Sequence, residues 1–126
     1  MSLAFAFLAA CGGCPWTDLS PVQSTQSCLQ LDHENSHGAD SRGGCVNPDI
    51  TGTNNCADPL VIPAMDNDTG TDLTFEPGDA ISFEVPLDVA TYHPGNDDDR
   101  YDFAIDATLG SQPVTITFVG SFHGGI

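Results

Sequence analysis

Apolar and polar residues alternate in short runs along most of this chain. Ile81-Ser82-Phe83-Glu84-Val85 places Ile81, Phe83 and Val85 on one face. Tyr101-Asp102-Phe103-Ala104-Ile105-Asp106-Ala107 does the same with Tyr101, Phe103, Ile105 and Ala107. A period of two marks a strand with one buried face. Residues 28–31 alternate more briefly, and residues 114–119 form the last strong run. Short apolar segments at 60–62 and 73–75 are bounded by Pro63 and by the Pro77-Gly78 turn, and Gly110 turns the chain again. Residues 46–53 carry Pro48, which lacks a donor, so they are expected to form a ragged edge strand. No stretch has ten residues of helical periodicity bounded by caps. Six or seven short strands at roughly 8–12-residue spacing predict an all-β protein, an antiparallel β-sandwich.

A chain of 126 residues makes about one domain, and its 40% hydrophobic content is enough for a core. The charge balance narrows the partners. There are 18 acidic residues, no lysine, and only Arg42 and Arg100, for a formal net charge of −16. Nucleic acid and anionic membrane surfaces would be repelled. Solubility alone accounts for such an acidic surface.

The N-terminus bears on location. An uncharged apolar run, residues 3–10, ends at Cys11; it is too short to span a bilayer but suits the core of a secretory signal. Leu8-Ala9-Ala10-Cys11 resembles the lipobox of bacterial lipoproteins. That resemblance implies cleavage before Cys11 and lipidation of its thiol. Gly12 stands where an aspartate would favour retention at the inner membrane, so it implies the outer membrane or cell surface. A basic n-region is missing before Cys11, which leaves a start upstream of Met1 as one explanation. The expected organisation is a signal peptide at 1–10, a lipidated Cys11 with a Gly-, Pro- and Ser-rich tether at 11–27, and a sandwich domain at 28–126. Trp16 is expected to plug the end of the core.

Assigning Cys11 to lipid leaves Cys14, Cys28, Cys45 and Cys56, an even number that suits two disulfides in an oxidising compartment. Three connectivities are open. Short local loops favour Cys14–Cys28 and Cys45–Cys56.

The segments at 75–85 and 101–107, with a Pro-Gly turn into an alternating strand and a later strand opened by tyrosine, resemble immunoglobulin-like extracytoplasmic domains. The likeness implies a fold and says little of function.

Three patterns invite chemistry. His33-Glu34-Asn35-Ser36-His37 spells H-E-x-x-H, which on a helix presents two imidazoles to zinc and a glutamate to its water. Strand-like alternation leads into His33, however, and Asn35, Ser36 and Gly38 are poor helix residues. A zinc-dependent hydrolase built on His33, Glu34 and His37 is therefore the lesser expectation. Asp66, Asp68 and Asp72 alternate around Gly70 and suit an oxygen cage for Ca²⁺, although Gly70 falls one place early for an EF-hand loop and Pro77 replaces the closing glutamate. A blue-copper site is excluded by the lack of cysteine after Cys56. There is no G-x-S-x-G elbow and no phosphate loop with lysine. The sequence thus predicts a lipid-anchored structural or binding module without catalytic activity or obligate cofactor. Its loops or a sheet edge would meet a protein or a glycan, and Ca²⁺ stabilisation is an alternative.

Overall fold

The computed structural model describes residues 18–34, 47–95 and 98–123. Among them the chain is an antiparallel β-sandwich of two sheets. The smaller sheet holds β3 (Leu29–Glu34), β4 (Asp49–Asn54) and β7 (Ala80–Glu84), in the order β3-β4-β7. The larger is built on a long hairpin, β9 (Asp98–Leu109) and β10 (Gln112–His123), turned at Gly110, whose φ of 63° favours glycine. Against β10 lie two short strands, β1 (Asp18–Leu19) and β2 (Gln23–Ser24). Against β9 lie β8 (Ala90–His93) and β5 (Leu60–Ile62), and β6 (Leu73–Phe75) pairs outside β5.

The period-two pattern places the core as expected. Ile81, Phe83, Val85, Phe103, Ile105 and Ala107 are all buried, joined by Ile50, Leu60, Ile62, Val114, Ile116 and Phe118. Phe103 and Phe118 face each other across the hairpin register, their rings stacked with centroids 4.5 Å apart. Tyr101 is half-buried at the end of that row and packs on the core.

Three expectations are corrected. The segment read as a ragged edge is central: β4 pairs with β3 on one side and β7 on the other. Pro48 does no harm because it precedes the strand, where its carbonyl accepts from Val85 N–H at 2.9 Å. Residues 18–27, read as tether, belong to the sandwich, since β1 and β2 close the free side of β10. The disulfide is Cys28–Cys56, not a bridge within either local loop. Both cysteines lie just beyond the Leu29–Asn54 register pair, so the bond closes the β3–β4 ladder. Of the three connectivities of four thiols, only the one pairing Cys14 with Cys45 is compatible with this bridge. Cys14 and Cys45 themselves lie outside the described residues, as do Cys11 and Trp16.

Beside β10, β3 and β7, side chains and a loop occupy some of the free backbone groups, which limits pairing with other chains there. Where Pro21 interrupts the strand beside β10, the Ser20 hydroxyl accepts from Val119 N–H at 2.8 Å and the Thr25 hydroxyl from Thr115 N–H at 3.1 Å. On β3, Asp32 accepts from His33 N–H; beside β7, Asp68 N–H donates to Glu84 C=O.

Candidate functional site

His33 and Glu34 are the last two residues of β3, so the first half of the H-E-x-x-H pattern is extended and not helical. Successive strand residues face opposite sides, which denies the pattern its one-turn geometry. His33 shares a register position with the buried Ile50, and its Nε2 lies 3.0 Å from the Leu19 carbonyl on the opposing sheet. When Nε2–H donates to that carbonyl, the imidazole bridges the two layers. Its Nδ1 is then buried without a hydrogen-bond partner among the described residues. His37 lies outside the described residues.

The acidic loop is organised around an amide. Asn67 is 3% exposed, and its Nδ2 donates to the carbonyls of Pro63 at 2.9 Å and Thr71 at 3.0 Å. Its Oδ1 accepts from Thr69 N–H and from the Thr69 hydroxyl. Asn67 therefore fills the centre where a cation would sit. Asp66 ends a short 3-10 turn, Ala64–Asp66, and is buried; burial first, and then the charge of Asp106, hold its carboxyl above the usual range against a hydrogen bond from the Asp106 backbone. Asp72 turns back to accept from Ala64 N–H at 2.9 Å, and Asp68 is exposed and faces β7. Among the described residues no three His, Cys, Asp or Glu side chains gather as a metal site, so Asp66, Asp68 and Asp72 do not form the expected cage.

Two features had no counterpart in the sequence reading. Asn54, fully buried at the end of β4, ties two loops together. Its Nδ2 donates to Asp58 C=O at 3.0 Å and to Phe75 C=O at 2.9 Å, and its Oδ1 accepts from Cys56 N–H at 2.9 Å. Its backbone accepts from Gly78 N–H and donates to Asp79 C=O. With Gly110 N–H donating to Pro59 C=O, one pole of the sandwich becomes a single bonded unit carrying the exposed Asn55, Ala57, Asp58, Glu76, Pro77 and Ser111. Its signal in the sequence is slight: a polar residue at a position where a strand should continue inward.

The second feature lies on the outer face of the large sheet. Arg100, the one lysine or arginine among the described residues, grips Asp102 with two nitrogens at 2.8 and 2.9 Å, while His93 Nε2 approaches the same carboxylate at 3.0 Å. The Arg100 hydrogen bond holds Asp102 below the usual carboxylate range, and Asp102 in turn holds Arg100 above its own. Asp102 closes one side of a shallow groove of about 370 Å³ lined also by Ser20, Pro21, Gln23, Ala104 and Thr117. Tyr92, half-exposed, packs against Tyr101 on the other side of the same strand pair.

No protein-family model, no curated protein and no solved structure matches the chain. Among the described residues no helix is long and apolar enough to cross a membrane.

Proposed function

We propose that the protein is a lipid-anchored extracytoplasmic binding or structural module without catalytic activity. It is held at the outer membrane or cell surface through Cys11, and it meets a protein or a glycan with its loops. The observation that carries the reading is the Cys28–Cys56 bridge across the β3–β4 ladder. Disulfides of this structural kind belong to oxidising compartments, the same address that Leu8-Ala9-Ala10-Cys11 resembles. Edge capping by Ser20, Thr25, Asp32 and Asp68 favours recognition through loops over strand addition. The pole tied by Asn54 and by the Gly110–Pro59 backbone bond presents three loops in a fixed arrangement, the preorganisation that a binding surface needs. The anionic surface makes nucleic acid an unfit partner.

The test is metabolic labelling with a radioactive fatty acid in a double-membrane bacterium, with fractionation of wild type and Cys11→Ser. Label and membrane recovery in the wild type, both lost in Cys11→Ser, is the expected result. A soluble, unlabelled wild-type protein with Cys11 unmodified would overturn the anchor.

A further inference from the structure

The shallow groove beside Asp102 is made by a break in the strand along β10. Residues 18–19 and 23–24 both pair with β10, and Pro21, which has no N–H, stands between them. Ser20 fixes the bend: its hydroxyl accepts from Val119 N–H at 2.8 Å and donates to the Pro21 carbonyl at 3.3 Å. The bend forms one wall. Phe103 points inward, so Asp102 and Ala104 on either side of it point outward. One row of the register, Ala104 beside Thr117 and Thr117 beside Gln23, makes the floor, and Asp102 stands in the next row.

The polar groups left open in this hollow are few and of mixed kind. Gln23 and Thr117 are exposed, and neither side chain makes a hydrogen bond among the described residues. The Gln23 amide offers donors and an acceptor, and the Thr117 hydroxyl serves as either. Of the roughly four lone-pair sites of the Asp102 carboxylate, Arg100 takes two and His93, with its proton on Nε2, takes one. One acceptor site remains, and the Arg100 clamp fixes where it points. Pro21 and Ala104, both exposed, add apolar surface.

Charge narrows the ligand. A chain of net charge −16 repels anions, and Arg100 is already committed to Asp102. A cation finds that carboxylate neutralised by Arg100, with His93 beside it. What fits is an uncharged molecule with neighbouring hydroxyls and an apolar ring face. We propose that the groove binds an uncharged glycan, a pyranose ring lying over Pro21 and Ala104 with its hydroxyls held by Asp102, Gln23 and Thr117. The volume of about 370 Å³ is at the small end for such sites. All three polar residues stand on strands, which hold them in place before the ligand arrives. The groove is on the sheet face and not at the loop pole, so its failure leaves the reading of that pole standing.

The experiment is a ¹⁵N–¹H NMR titration of the oxidised full chain with maltose, cellobiose, lactose and N,N′-diacetylchitobiose, with glucuronate as the anionic comparison. Each is taken to about 10 mM, where a site with a Kd of about 1 mM is about nine-tenths filled. At least one disaccharide should give saturable shifts confined to the amides of residues 20–23, 102–104 and 117–119, and glucuronate should give none. In the double variant Gln23→Ala with Thr117→Val the affinity should fall about tenfold or more, the loss of one to two ordinary hydrogen bonds. Ala104→Leu, which fills the floor, should abolish the shifts and serves equally if the double variant does not fold. No saturable shift with any of the four sugars would overturn the site. So would an equal response to glucuronate, or shifts that survive the substitutions.

Discussion

Replacing Asn54 tests whether one buried amide holds the loop pole together. In Asn54→Ala two backbone carbonyls, at Asp58 and Phe75, and one amide, at Cys56, lose their partners at 3.0, 2.9 and 2.9 Å. Asn54 has no solvent exposure, so water does not reach these groups without rearrangement. At about 1 kcal/mol per bond the loss is about 3 kcal/mol, a large share of the 5–15 kcal/mol (about) that a small domain has in total. Asn54→Asp sharpens the test, because shape and the acceptor for Cys56 are kept while both donors vanish. At pH 7 a carboxylate would face two carbonyl oxygens in a closed site, and the loss should equal or exceed that of alanine. Below the ordinary aspartate range, near pH 3.9, a proton restores one donor, so the aspartate variant should recover part of its deficit in acid while the alanine variant does not. The assay is urea unfolding followed by far-ultraviolet circular dichroism, with the disulfide intact, at pH 7 and pH 3.5. An Asn54→Ala variant within about 0.5 kcal/mol of wild type, the range of ordinary surface substitutions, would refute the reasoning.

Two further substitutions probe the small sheet. A Cβ at Gly52 would overlap the Gln30 carbonyl oxygen of β3 and lie 3.0 Å from Leu31 Cα, all backbone of the neighbouring strand. Gly52→Ala must push β3 from β4, and overpacking of this kind costs about 1–3 kcal/mol or more; an unchanged urea midpoint would show that the two strands are not so close. The Cys28–Cys56 bridge spans 28 residues, which chain-entropy arithmetic converts to about 3.5 kcal/mol. The double variant Cys28→Ser with Cys56→Ser should lose about that much, and a peptide map of the non-reduced wild type should recover Cys28 joined to Cys56 and to no other cysteine.

Much of the fold was legible because it rests on alternation. Ile81, Phe83 and Val85, and Phe103, Ile105 and Ala107, could be assigned to the core with no knowledge of their partners. What alternation lacks is information on neighbours. Residues 49–54 read as an edge because Pro48 lacks a donor, yet the strand begins after it and lies between two others. Residues 18–19 and 23–24 are too short to show a period, and only the exposed side of β10 gives them a role. Local loop length suggested the wrong cysteine pairs, because the bridge follows the β3–β4 register across a 28-residue separation instead.

Among the described residues neither spaced pattern gathers at one point, for a related physical reason. H-E-x-x-H and D-x-D spacings become sites only when the backbone brings the spaced residues to one point. At His33 the backbone is a strand, and the imidazole is spent on a carbonyl across the sandwich. At residues 66–72 the centre is taken by a neutral amide, so the aspartates point outward or cap backbone N–H groups. The same economy recurs at Asn54, Ser20 and Thr25: uncharged side chains satisfy the interior and the edges. Burying a carboxylate would cost far more than burying an amide that keeps its hydrogen bonds. A chain with 18 acids and almost no cations can fold only if its acids stay out of such positions. Asp66, buried near Asp106, and half-buried Glu84, with Asp49 opposite it, are where that separation is incomplete, and burial holds both carboxyls above the usual range.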